Sequence, residues 1–247
     1  VVQLLLETGK IEVDSKDRNE RTPLSYAAER GSEAVVKLLL ETGQVEVDSK
    51  DTIGRTPLSY AAEKGSEAVV KLLLETGKIE VDSKDRNERT PLSYAAERGS
   101  EAVVQLLLET GKIEVDSKDR NEQTPISYAA RSGSEAVVKL LLETGKIEVD
   151  SKDRNERTPL SYAAERGSEA VVQLLLATGQ VEVDLKDTFG QTPLSYAAEK
   201  GSEAVVKLLL ATGQVEVDSK NIYGQTPLSW AVTHGRDTVI QLLQQHM

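Results

Sequence analysis

His234 and His246 are the only imidazoles in the 247-residue chain, and cysteine is absent. A thiol nucleophile, a disulfide framework and a multi-histidine zinc site therefore cannot be assembled. Serines abound, but most have no histidine near them, so they read as helix caps and hydrogen-bond donors rather than nucleophiles. Neighbouring carboxylates such as Glu46 and Asp48 invite a calcium reading. They lack the glycine and oxygen-rich spacing of a calcium loop and read instead as solvated connector. No glycine-rich phosphate loop of either familiar spacing occurs. No catalytic residue, metal or cofactor is expected, and the protein is not expected to be an enzyme.

Arginine is the residue type with an ordered pattern. Of thirteen arginines, twelve lie within four residues before a Thr-Pro pair or seven to eight residues after one: Arg18, Arg21, Arg30, Arg55, Arg86, Arg89, Arg98, Arg120, Arg131, Arg154, Arg157 and Arg166. Only Arg236 falls outside. The planar guanidinium binds carboxylates bidentately, stacks on aromatic rings and is enriched in interface cores, where lysine is depleted. Recognition is the chemistry this pattern could perform.

The elements that position these residues are set by repetition. Thr-Pro recurs every 34 residues, at Thr22, Thr56, Thr90, Thr124, Thr158, Thr192 and Thr226. A single continuous array is expected: a partial unit at 1–21, full units at 22–55, 56–89, 90–123, 124–157, 158–191 and 192–225, and a terminal unit at 226–247. In TPLSYAAERGSEAVVKLLLETGQVEVDSKDTIGR (22–55), Thr22 can cap a first helix, Pro23 suits its first position, and Gly31 can end it. Ser32 is a candidate cap for a second helix whose Val35, Val36, Leu38, Leu39 and Leu40 suit burial before Gly43 stops it. The remainder reads as a loop ending in a β-hairpin-like finger.

The period alone would also suit a tetratricopeptide array, but a third of each unit is non-helical here. Seven copies of TPxSxA, followed at fixed spacing by G, VV and LLL, resemble the ankyrin repeat, marked by T-P-L-H-x-A. The resemblance covers the whole chain and implies an all-α repeat solenoid of short helix pairs with a row of fingers. Three departures stand out. Serine (Ser25, Ser59, Ser93, Ser127, Ser161, Ser195, Ser229) replaces the histidine that ties loops to helices in that family, and the GKIEVDSKD connection is one residue longer than usual. Glu20, Glu88, Glu122 and Glu156 occupy the finger's usual glycine position. If that position requires positive φ, glutamate costs about 1 kcal/mol there, unless the neighbouring asparagine takes the left-handed conformation instead.

Finger tips and first-helix ends form the concave, partner-gripping face of ankyrin proteins, and the units of this chain differ in those same places. Tips read RNER, TIGR, RNER, RNEQ, RNER, TFGQ and IYGQ, whereas the apolar columns hardly change. With Lys64 and Lys200, that face carries fourteen basic and nine acidic residues, net +5, inside a chain of net charge −11. Two readings fit the arginines: a partner-binding groove, or solvated residues copied by duplication and paired with glutamates. Ile53, Phe189, Ile222 and Tyr223 put apolar side chains on tips, with Trp230 and His234 nearby. These are either contact anchors or packing between adjacent fingers. A tyrosine column (Tyr26, Tyr60, Tyr94, Tyr128, Tyr162, Tyr196), ending in Trp230, suits packing between repeats, with edges in reach of the groove.

The expected function is non-catalytic recognition of a protein partner with an acidic or aromatic surface. Net acidity argues against nucleic acid and anionic membranes. No apolar run approaches the ~18 residues of a membrane span, and no signal-peptide pattern opens the chain. A monomer in a reducing compartment, cytoplasmic or nuclear, is expected. The chain begins inside a second helix, VVQLLLETG, which reads as excision from a longer protein. WAVTHGRDTVIQLLQQHM, with Gln244 in place of the third leucine, reads as a C-terminal cap. The repeat wording resembles the C-terminal ankyrin arrays of fungal proteins, NACHT-type STAND receptors among them. The alternative is an engineered, consensus-like array with no natural partner.

Overall fold

The computed structural model describes residues 12–247. The opening VVQLLLETG lies outside the described residues. The chain divides into two compact units, Val1–Arg120 and Asn121–Met247. The first holds three helix pairs: α1 (Pro23–Glu29) with α2 (Glu33–Glu41), α3 (Pro57–Lys64) with α4 (Glu67–Glu75), and α5 (Pro91–Arg98) with α6 (Glu101–Glu109). The second holds four: α7 (Pro125–Ser132) with α8 (Glu135–Glu143), α9 (Pro159–Arg166) with α10 (Glu169–Ala177), α11 (Pro193–Lys200) with α12 (Glu203–Ala211), and α13 (Pro227–Thr233) with α14 (Asp237–Gln244). Within each unit, first helices stack on first helices and second helices on second helices, as expected of a repeat solenoid.

Each first helix starts as its sequence dictates. Thr56 Oγ1 accepts the Ser59 N–H at 3.2 Å, Pro57 opens α3, and Gly65 closes it at φ 74°. Ser59 Oγ lies 3.1 Å from Thr56 Oγ1 and both residues are buried, so the serine standing in for histidine is itself bonded into the cap. The second helices depart from expectation. Ser32, Ser66 and Ser100 stand at their N-caps, but none of these side chains makes a capping bond. Close approach bears instead on the glycine before them: a Cβ on Gly65 would come within 2.4 Å of Ser100 Oγ. At the other end Thr76 Oγ1 donates to the Leu73 carbonyl at 2.7 Å, sharing the termination expected of Gly77.

Leucine and alanine make the core. Leu58, Leu73, Leu92 and Leu107 in the first unit, and Ile126, Leu141, Leu160, Leu175, Leu194 and Leu209 in the second, are wholly buried. Each such side chain stabilises its stack by ~1.5–3 kcal/mol. Paired alanines such as Ala61–Ala62 and Ala95–Ala96 are equally buried and let first helices lie close together.

The finger is hairpin-like without being a strand, since no strand occurs among the described residues. Asp51 N–H donates to the Arg55 carbonyl at 3.1 Å, and Gly54 N–H donates to the Asp51 carbonyl at 2.9 Å. Asp51 Oδ1 accepts from the Ile53 and Arg55 N–H groups, each at 2.9 Å. Successive fingers share one backbone bond, such as Arg86 N–H to the Ile53 carbonyl at 2.8 Å, which is too little for a ladder. The left-handed position is filled by glutamate itself: φ is 60° at Glu20, 62° at Glu88, 61° at Glu122 and 59° at Glu156. The asparagines do not take it over.

The connector is more than solvated loop. Asp48 Oδ2 accepts the Glu80 N–H one repeat onward at 2.7 Å, and Asp14, Asp82 and Asp150 do the same at 2.6–2.8 Å. Burial raises the pKa of Asp48, partly offset by that backbone hydrogen bond. Glu46 is exposed, as solvated connector, but that reading is corrected for Asp48, which is a staple between repeats.

Candidate recognition surface

Tyrosine and arginine columns interleave beneath the fingers. Tyr60 OH donates to Asp51 Oδ2 at 2.5 Å, tying helix α3 to its own finger, and Tyr94 does so to Asp85 at 2.6 Å. The Arg55 guanidinium lies between these rings, 4.1 Å from the Tyr60 centroid and 4.4 Å from that of Tyr94. Its Nη2 meets Glu63 Oε2 at 2.5 Å. Arg21 stands likewise between Tyr26 and Tyr60, and Arg157 between Tyr162 and Tyr196. Arg21, Arg89 and Arg157 pair with Glu29, Glu97 and Glu165. Burial and the hydrogen bond to Asp51 push the Tyr60 phenol well above its ordinary range, and the same two causes, with Asp153 as acceptor, push Tyr162 up to about 12. These tyrosines act as neutral donors at any physiological pH.

This ladder divides the sequence-selected residues. Arg21, Arg55, Arg89 and Arg157 have their forks engaged by glutamate and their planes by tyrosine, and Arg55 is only 9% exposed. They hold repeats together and offer a partner little surface. Arg131 has a different origin. It stands on helix α7 at the position of the pairing glutamates Glu29, Glu63, Glu97 and Glu165, and Gln123 stands at the position of their arginines. From there its guanidinium lies 4.9 Å from the Tyr128 ring and 5.9 Å from that of Tyr162, while Gln123 Nε2 donates to Tyr162 OH at 2.6 Å. The cation comes from the helix instead of the finger and still reaches the tyrosines. Reading residues 34 apart together with those eight apart would have found this: Arg–Glu at 21/29, 55/63, 89/97 and 157/165, Gln–Arg at 123/131, and neither at 191/199 (Gln–Glu) and 225/233 (Gln–Thr).

The other selected residues are nearly all at the surface. In the first unit Arg18, Arg86 and Arg120 are exposed on finger tips, and Arg30, Lys64 and Arg98 at first-helix ends. With the ladder pairs set aside, these six cations face two carboxylates, Glu20 and Glu88, with one long contact of 4.0 Å from Arg120 to Glu88. Ile53 is 47% exposed on its tip. In the second unit Arg154, Arg166 and Lys200 are exposed, as are the apolar tips Phe189, Ile222 and Tyr223. Trp230 is half-buried, with its indole N–H on Gln191 Oε1 at 3.1 Å. It stacks on exposed His234 at 5.5 Å between centroids. Among the described residues no cluster of three His, Asp or Glu could hold a metal ion. Likewise, no described helix is long and apolar enough to cross a membrane.

Stacked helix pairs, bonded fingers and a ladder of cations between rings describe a repeat-built protein whose finger tips stay free. The chain belongs to the ankyrin repeat family: the family model for ankyrin repeats in three copies matches residues 1–51, 42–119, 79–153, 111–187 and 179–247. Among solved structures, it is similar to the human ASB11 ankyrin repeat domain, at 30% identity and a TM-score of 0.79, over 92% of this chain and 98% of that one. It is also similar to the ankyrin repeat domain of Bcl-3, a member of the IkappaB protein family, at 29% identity and a TM-score of 0.70, over 91% of this chain and 98% of that one. No curated protein sequence matches it. Ankyrin repeats are, in general, protein-binding modules without catalysis.

Proposed function

We propose that this array recognises a protein partner through its finger tips and first-helix ends, as the ligand-sensing or scaffolding part of a larger intracellular protein. One observation carries the reading: tip residues that differ between repeats, such as Ile53, Arg86 and Phe189, and first-helix ends such as Lys64 and Arg98 are exposed, whereas the leucine column Leu73, Leu107, Leu141, Leu175 and Leu209 recurs unchanged and buried. Packing demands sameness where each repeat meets an equivalent neighbour, and it leaves the outward tips free to vary. In the first unit the exposed cations outnumber free carboxylates, which favours a partner presenting Asp and Glu or aromatic faces. The wording of the repeats favours a receptor setting of the fungal NACHT type.

Arg86 and Arg120 make the test, because both are exposed and stand outside the ladder. An Arg86→Glu, Arg120→Glu variant is expected to unfold at the midpoint of the parent and to lose partners that the parent captures. Retention of every partner by a folded double variant would overturn the proposal.

A further inference from the structure

The finger tips are of two kinds. Arg-Asn-Glu tips place glutamate in the left-handed position. The last two tips of the second unit, Thr188–Phe189–Gly190 and Ile222–Tyr223–Gly224, give it to glycine and carry an apolar side chain just before it. Phe189 is 50% exposed, Ile222 62% and Tyr223 71%. The Ile222 N–H donates to the Phe189 carbonyl at 2.9 Å, so the two tips adjoin. No glutamate stands on either tip. One repeat earlier, the same unit presents Arg154 and Arg166, both exposed and neither in an ion pair among the described residues. The carboxylates near them in sequence are taken: Asp153 by the Asn155 and Arg157 amides and Tyr162 OH, Glu156 by Lys152 at 3.0 Å and Glu165 by Arg157 at 2.5 Å.

We propose that the unit Asn121–Met247 anchors an extended acidic–apolar segment of a partner protein, with its carboxylates on Arg154 and Arg166 and its large apolar side chains on Phe189, Ile222 and Tyr223. The inference rests on the recognition reading and assigns the partner chemistry of one part of that face. Charge complementarity selects the occupant. A basic segment meets two free guanidinium groups, and a wholly polar one leaves three exposed apolar side chains in water. Spacing follows from the repeat. Neighbouring helices lie about 10 Å apart, and an extended chain advances roughly 3.3 Å per residue. The acidic anchor is therefore about three residues from an apolar anchor one repeat away, and about six from one two repeats away.

A random peptide library displayed on phage and selected on the intact chain tests this. Enriched peptides are expected to carry Asp or Glu about three to six positions from Phe, Trp, Leu or Ile. By fluorescence polarisation, a synthesised enriched peptide should bind at least ~tenfold more weakly to a Phe189→Ser, Tyr223→Ser variant and equally well to Lys207→Ser, whose site is exposed on the second helix α12. Arg154→Glu with Arg166→Glu should weaken it comparably. Enrichment of basic or purely polar peptides overturns the inference, and so does a failure to enrich any peptide. Peptides that depend on Arg86 and Arg120 but ignore Phe189 and Tyr223 leave the recognition reading standing and sink this one. Insensitivity to every one of these changes sinks both. A single-stranded DNA binding as tightly as the peptides would replace the proposed partner class.

Discussion

Arg55→Gln, alone and with Glu63→Arg, isolates the energy of the tyrosine–arginine ladder. The arginine is 9% exposed and lies 4.1 and 4.4 Å from two tyrosine centroids. A cation over one ring contributes ~0.5–1 kcal/mol when exposed and up to ~2 when desolvated. The ion pair with Glu63 contributes less, because the carboxylate side chain is 51% exposed and screened by water. Arg55→Gln is therefore expected to lose about 2 kcal/mol. Glu63→Arg alone sets a second guanidinium beside Arg55 and should lose about 1 kcal/mol. The double variant reproduces the native Gln123–Arg131 arrangement, in which a helix-borne guanidinium lies 4.9 and 5.9 Å from its two rings. Those longer distances predict partial rescue, to a net loss of about 1 kcal/mol, and a favourable coupling of about 2 kcal/mol. Urea unfolding followed by circular dichroism measures all four proteins, with fits that allow for a repeat array opening in stages. A double variant no more stable than Arg55→Gln would refute the ladder as an energetic unit.

Three further outcomes follow from the same geometry. Glu88 holds φ 62°, so Glu88→Gly should stabilise the array by ~0.5–1 kcal/mol, and a lowered urea midpoint would contradict the strain assigned there. Burial raises the pKa of Asp48, so the folded state binds its proton more readily than the unfolded chain and that residue's contribution to stability falls as pH rises through the carboxylate range. The stability of Asp48→Asn relative to the parent should accordingly improve between about pH 4 and pH 7, and a relative loss over that interval would contradict the assignment. Leu141 is wholly buried, so Leu141→Ala should cost ~2–5 kcal/mol and split the unfolding transition; one transition at an unchanged midpoint would count against nearest-neighbour stacking.

Local signals were legible in the sequence, and contacts between repeats were less so. Thr-Pro, the glycine stops and the leucine columns act within one unit, and the helices begin and end close to where those residues place them. Ser66 looks like a cap locally, yet its side chain makes no capping bond and lies against Gly31 of the repeat before it. Arg55 looks like free surface until Tyr94 of the next repeat closes over it. Glu88 departs from its glycine pattern, and only the backbone shows that the chain keeps the left-handed turn and accepts the strain. Each departure arises because one-dimensional spacing does not say which column of one repeat meets which column of the next. The exposed tips were legible for the opposite reason, since nothing packs over them.

The central claim is that partners are read by finger tips and first-helix ends. Hydrogen–deuterium exchange of the chain with a captured partner bound tests it most directly. The claim predicts slowed exchange at tip amides around residues 52–54, 86–88 and 188–190 and at the ends of α3, α5 and α11. Slowing confined to the second helices, such as α4 and α12, with the tips unchanged, would contradict it.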